Sequence, residues 1–195
     1  MCILILGTSH IHWLERFLRQ KGNNNNVFNV GGDASPEVHF RSISGGKICN
    51  KHHVNCWELS ISELRPKYLI IQLGGNDIDS SKMDSASLEL LVLRIVNIFA
   101  TFQVRYNIAE VVVLQFIPRP RPRYISGDTY GELVHKANIM LKGELSKFPR
   151  ILYWKIKGIK NPTTNIFRDG VHLNFAGMIR YYKNIRGAVL KLLKS

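Results

Sequence analysis

The chain has few cysteines and no recognisable export signal. Its 195 residues include only Cys2, Cys49 and Cys56, which cannot all pair with one another. So few thiols do not form the disulfide framework of a small secreted domain. A strand-like segment, Cys2–Leu6, stands where a secretory signal would place a basic region and an apolar core. We therefore expect reduced cysteines, an intracellular location and a domain cut from a longer polypeptide.

Long apolar runs, internal repeats and nucleotide-binding motifs are also missing. No apolar run approaches the roughly 20 residues that span a bilayer, so we expect no transmembrane segment. No P-loop and no G-x-G-x-x-G follows a predicted strand. The sequence therefore predicts no cofactor.

Acidic residues are scarce: 14 Asp and Glu face 27 Lys and Arg, which gives a net charge of +13. A charge of this size favours an anionic partner, most often nucleic acid. The hydrophobic content of 45% and the length are typical of one globular domain, residues 1–195.

Strand-like runs alternate with helical patterns along the chain. The predicted strands are Cys2–Leu6, Val38–Ile43, Tyr68–Leu73, Glu110–Ile117 and Ile151–Lys155. The first predicted helix ends near Lys21 and is followed by a loop, Asn23–Asn26. The other predicted helices cover Ile48–Leu64, Leu88–Phe102, Thr129–Lys147 and Phe175–Leu193. This alternation predicts a parallel sheet with helices on both faces.

Four notable segments follow predicted strands, at the sheet edge where α/β proteins place their sites. They contain Ser9, Gly45, Asn76 and the pair Asp169 and His172. Each also has a structural interpretation: a helix cap, a glycine turn, an Asx turn and a partly buried histidine. Because all four follow strand ends, we interpret them as one site. An Asp and a His three residues apart can share a hydrogen bond that orients the ring.

The four segments resemble the sequence blocks of the SGNH, or GDSL-type, esterases and lipases. The matching stretches are Leu6–Ser9 (L-G-T-S), Ser42–Gly45 (S-I-S-G), Leu73–Asp77 (L-G-G-N-D) and Asp169–His172 (D-G-V-H). The resemblance implies a flavodoxin-like three-layer α/β/α sandwich with about five parallel strands. It also implies a serine esterase that cleaves a small acyl or acetyl ester through an acyl-enzyme.

The resemblance assigns a role to each residue of the site. It makes Ser9 the nucleophile, His172 the general base and Asp169 the residue that orients His172. The N–H groups of Ser9 and Gly45 and the amide of Asn76 would form the oxyanion hole. The first block departs from the family pattern, because Thr8 replaces an Asp that mainly holds the turn, which places the rate in doubt more than the mechanism.

A narrower resemblance concerns SGNH domains encoded within animal retrotransposons. It rests on the stretches Gln115–Arg119, Arg168–Asn174 and Ile185–Val189 and on the single residue Asn138. Those domains accompany reverse transcriptases or nucleic-acid-binding proteins. The alternative function is therefore a basic module that keeps the fold, binds nucleic acid or a protein partner, and hydrolyses weakly or not at all.

Two further clusters have a functional and a structural interpretation. The residues Cys49, His52, His53 and Cys56 share a predicted helix face, but four ligands within two turns cannot surround a metal tetrahedrally, so we predict no metal site. Arg119, Arg121 and Arg123 alternate with prolines and form either a rim that contacts anions or an exposed, solvated loop. Lys155, Lys157, Lys160 and Arg168 precede the histidine block and suggest a positive mouth to the site.

Overall fold

The computed structural model describes residues 1–20, 28, 30, 36–159 and 165–194, so the predicted loop Asn23–Asn26 and Lys160 lie outside it. Strands and helices alternate through this part of the chain. The strands are β1 Cys2–Gly7, β2 Glu37–Ser42, β3 Tyr68–Gln72, β4 Glu110–Leu114 and β5 Ile151–Trp154. The helices are α1 Ser9–Gln20, α2 Lys51–Leu64, α3 Gly75–Ile78, α4 Ser85–Arg105, α5 Gly127–Leu145 and α6 Phe175–Leu192.

The five strands form one sheet in the order β2-β1-β3-β4-β5, and every neighbouring pair is parallel. This is the flavodoxin-like order, in which the chain direction across the sheet reverses between β1 and β3. The predicted α/β class, parallel sheet and number of strands are confirmed. All carboxyl ends of the strands meet at one edge, and the segments that follow β1, β2 and β3 therefore come together there.

Hydrophobic side chains cover both faces of the sheet, and this explains why its central strands have no polar face. Along β1, Ile3 and Ile5 pack into a core with residues of α1 and α6. The alternate residues, Leu4 and Leu6, pack into a second core with residues of α2, α4 and α5. The molecule is therefore the three-layer α/β/α sandwich that the resemblance implies.

At two of the element boundaries that differ from the prediction, side chains take over backbone hydrogen bonds. Helix α2 was predicted from Ile48 but begins at Lys51, because Asn50 accepts the N–H groups of His52 and His53. The strand predicted to end at Ile117 ends at Leu114. Beyond it, the Asn138 side chain satisfies both the N–H and the carbonyl of Phe116.

Helix α4 bears on the expectation that no segment spans a membrane, and this expectation stays a prediction. An 18-residue window of Ser85–Arg105 has a mean hydropathy of 1.6, so the helix is long and apolar enough to cross a bilayer by length and composition. One side of α4 contributes Val92, Ile95 and Phe99 to the core against the sheet. Its apolar composition therefore matches its place in the sandwich, and composition alone is weak evidence for a membrane span.

Candidate active site

A cleft of about 670 Å³ lies at the carboxyl edge of the sheet. The predicted site residues Ser9, Gly45, Asn76 and His172 all line it. They come from the segments that follow β1, β2, β3 and β5. The structure thus brings these four predicted segments to one place.

Ser9 is the first residue of α1 and follows β1 after a single intervening residue, Thr8. The helix begins here because the Thr8 carbonyl accepts the N–H groups of Ile11 and His12. In the described part of the chain, no hydrogen bond uses the hydroxyl of Ser9 or of Thr8. Ser9 therefore does not cap the helix with its side chain, and its hydroxyl is available to the cleft.

Asp169 and His172 form the hydrogen bond that their spacing predicts. His172 Nδ1 lies 2.7 Å from Asp169 Oδ2, while Asp169 Oδ1 accepts the N–H groups of Val171 and His172. Partial desolvation raises the pKa of Asp169, but these three hydrogen bonds outweigh it and hold that pKa well below its usual range. An ionised carboxylate only accepts, so Nδ1 holds the ring proton and Nε2 is left as the basic nitrogen.

His10 connects the first helix to the loop that contains His172. Its Nε2 lies 3.2 Å from the carbonyl oxygen of Val171 and donates to it, because a carbonyl only accepts. Burial lowers the pKa of His10 to about 3, with the charges of Arg119 and His172 acting in the same direction. His10 is therefore neutral at pH 7 and holds Val171 next to the nucleophile segment.

The low pKa of His10 predicts that the protein loses stability as the pH falls. Between about pH 6.5 and pH 3 the unfolded chain binds a proton at His10 that the folded chain does not. This difference lowers the free energy of unfolding by roughly 2 kcal/mol between pH 7.5 and pH 5. His10→Gln keeps a donor for the Val171 carbonyl but removes the titrating ring. Between pH 7.5 and pH 5, the free energy of unfolding of this variant should therefore fall by roughly 2 kcal/mol less than that of the wild type.

Urea unfolding at both pH values measures the effect, and His135→Gln, at an exposed position on α5, is the matched control. An identical pH dependence in wild type and His10→Gln would contradict the assignment.

Candidate donors for a negatively charged oxygen line the cleft together with Ser9. Gly45 has a φ of +71°, a conformation that favours glycine, and its N–H has no partner among the described hydrogen bonds. Asn76 Nδ2 donates one of its two hydrogens to the Gly46 carbonyl at 3.0 Å. The second hydrogen remains for a ligand. Because Ser9 opens a helix, its own N–H lacks an intrahelical acceptor.

Asp77 joins the loop after β2 to the turn after β3. Its buried carboxylate accepts the N–H groups of Ile48 and Cys49 at 3.0 and 2.9 Å. The Asp77 side chain therefore makes a contact between two segments of the site and not a local turn or helix cap. It holds the Gly45 loop and Asn76 at a fixed separation.

Arg119 is buried, so the exposed, solvated interpretation is wrong for this first arginine of the proline-rich stretch. Its Nη2 donates to Asn76 Oδ1 at 2.7 Å, and its Nη1 lies 3.6 Å from Asp79 Oδ2. Asp79 in turn accepts the N–H groups of Arg123 and Tyr124. Because Arg119 occupies the oxygen of Asn76, the amide can present only its N–H groups to the other side.

The predicted metal-like cluster does not share one helix face. Cys49 precedes Asn50, the cap of α2, and so lies outside the helix. His53 Nδ1 accepts the N–H of Lys47 at 3.1 Å, which occupies one of its ring nitrogens. In residues 1–20, 28, 30, 36–159 and 165–194, no group of three or more His, Cys, Asp or Glu side chains is arranged to hold a metal ion.

Several solved structures with the same architecture are described as lipases or esterases. A GDSL-like lipase from Bacteroides thetaiotaomicron superposes with a TM-score of 0.71 at 17% identity, covering 98% of this chain and 88% of its own. A carbohydrate esterase of family 3 from Talaromyces cellulolyticus gives 0.66 at 15% identity, with 100% and 98% coverage. A mutant acetyl esterase with an acetate ion gives 0.65 at 16% identity, again with 100% and 98% coverage.

The chain has the SGNH hydrolase fold. Neither a protein-family model nor a curated protein matches it in sequence. Two residues that position the site, His10 and Asp79, lie outside the sequence blocks that indicated it. Their position in the sequence could have indicated them, because each lies one or two residues beyond a site segment at the carboxyl edge of the sheet.

Proposed function

We propose that the protein is a serine esterase that hydrolyses a small acyl or acetyl ester through an acyl-enzyme. The observation that supports it most directly is the Asp169–His172 hydrogen bond beside Ser9 in one cleft. A serine hydroxyl becomes an effective nucleophile only when a neighbouring base takes its proton. The descriptions of the structural neighbours as esterases and lipases point to the same class.

The first half of the proposed reaction forms the acyl-enzyme. Ser9 Oγ bonds to the carbonyl carbon of the ester while its proton moves to His172 Nε2. The carbonyl oxygen takes the negative charge and is held by the N–H groups of Ser9 and Gly45 and by Asn76 Nδ2, each worth roughly 3 kcal/mol of barrier. The bond to the alcohol oxygen then breaks, and that oxygen takes the proton from His172.

The second half releases the acid. A water gives its proton to His172 Nε2 and bonds to the acyl carbon, and the same donors hold the second oxyanion. The bond to Ser9 breaks, and the proton returns to its oxygen. Every step uses groups of this chain, the ester and one water.

Hydrolysis of p-nitrophenyl acetate tests the proposal. The folded protein should release p-nitrophenol with a rate that saturates with substrate, because the ester must first occupy the cleft. The controls are the same chain unfolded in urea and an unrelated basic protein at equal concentration. A rate no higher than these backgrounds would overturn the proposal.

Nucleic-acid binding through the basic surface stays a prediction, supported only by the net charge of +13. Binding to RNA that weakens steeply with added salt would support it. The retrotransposon resemblance likewise stays a prediction.

A further inference from the structure

Positively charged side chains surround the candidate cleft. Lys47, Arg119, Arg123 and Arg168 line it. In the described part of the chain, two carboxylates pair with these cations, Asp79 with Arg119 and Asp169 with Arg168, and the buried carboxylate of Asp77 lies between the loops of the site. The four cations outnumber the nearby carboxylates, which leaves a net positive charge at the mouth of a site whose proposed substrate is small.

The two paired carboxylates also accept other hydrogen bonds, and they offset only part of the positive charge at the rim of the cleft. Asp79 accepts two backbone N–H groups and pairs with buried Arg119. Asp169 accepts three hydrogen bonds from Val171 and His172, and Arg168 Nε lies 3.5 Å from it. In the described part of the chain, no carboxylate forms an ion pair with Lys47 or Arg123.

Aromatic rings hold the rim cations in place on two sides of the cleft. On one side, Lys47 Nζ and Arg123 Cζ lie 5.8 and 5.3 Å from the centre of the Tyr124 ring. On the other side, Arg168 Cζ lies 4.0 Å above the Trp13 ring, which also contacts His172 edge to face. A guanidinium that stacks on a ring, as Arg168 does on Trp13, has fewer free rotamers, so less entropy is lost when it binds an anion.

We propose that the ester substrate carries an anionic group, such as a carboxylate, phosphate or sulfate, which the rim cations Lys47, Arg123 and Arg168 bind. The inference rests on the proposed esterase function and adds its substrate class. A fixed negative charge on the substrate gains attraction at this rim that a neutral ester lacks, and guanidinium groups suit oxyanions through paired hydrogen bonds. The flanking rings of Trp13 and Tyr124 offer apolar contact to the rest of the molecule.

Two esters that differ only in a remote charge test the inference. The probes are 2-naphthyl acetate and its 6-sulfonate, which share the scissile acetyl ester, and release of the naphthol reports the rate. We expect kcat/KM to be on the order of 10-fold higher for the sulfonate, and we expect this ratio to shrink as salt rises. Both esters are monomeric in solution, so a preference arises in the cleft and not from attraction to a charged lipid surface.

A triple variant and a matched control show whether the rim cations cause the preference for the sulfonate. Lys47→Met, Arg123→Gln and Arg168→Gln together should remove the preference for the sulfonate. Lys67→Met, Lys136→Met and Arg150→Gln remove the same charge from exposed positions outside the cleft and should keep the wild-type ratio. Equal effects of the two triple variants would overturn the assignment to the rim.

The outcomes for the wild-type chain separate the two proposals. Hydrolysis of both esters with equal kcat/KM would overturn the anionic substrate class and leave the esterase function standing. Hydrolysis of neither ester above background would overturn the esterase function itself. The comparison uses wild-type protein, so it is decisive even if the triple variant fails to fold.

Discussion

Ser9→Ala is expected to lower kcat for p-nitrophenyl acetate by on the order of 10⁴-fold or more. The variant removes the oxygen that bonds to the acyl carbon, and α1 contains no other hydroxyl-bearing residue. Because the Ser9 hydroxyl makes no hydrogen bond in the described part of the chain, its loss should leave the thermal unfolding temperature nearly unchanged.

Ser44→Ala is the matched control, since Ser44 also lines the cleft but has no place in the proposed reaction. It should retain most of the activity. Full turnover by Ser9→Ala, or equal losses in the two variants, would exclude Ser9 as the nucleophile.

Asn76→Ala is expected to lower kcat by on the order of 10²-fold with little change in KM. The amide donates to the oxygen that becomes charged in the transition state, so its contribution is small while the ester is only bound. The hydrogen bond from Arg119 to Asn76 Oδ1 fixes which end of the amide faces the cleft.

Asn97→Ala, at an exposed position on α4, is the control for the asparagine change. A variant at Asn76 that raises KM at unchanged kcat would assign the amide to substrate binding and remove it from the oxyanion hole. An unaffected rate would exclude it from both roles.

The sheet and the positions of the site segments could be predicted because they depend on local patterns. Apolar runs such as Tyr68–Gln72 have no polar face and therefore indicate strands covered on both sides. The parallel arrangement then places whatever follows each strand at one edge. That is why Ser9, Gly45 and Asn76 could be grouped before their geometry was known.

The contacts that position the site could not be predicted, because they join residues distant in sequence. Three arginines alternate with prolines, and nothing local distinguishes Arg119 from the two that follow it. The fold buries Arg119 against Asn76 and Asp79 while it leaves Arg121 and Arg123 exposed. Sequence proximity was equally misleading at Cys49, where the Asn50 cap delays the helix.

The most direct test of the central claim is covalent labelling by a fluorophosphonate. This reagent transfers one phosphonyl group to an activated serine, with loss of fluoride, and gives a stable mimic of the tetrahedral intermediate. Mass spectrometry of the intact and digested protein should show a single phosphonyl group, located on Ser9 and lost in the urea-unfolded chain. No label on the folded protein, or a label on Ser44 or another residue with Ser9 unmodified, would contradict the account.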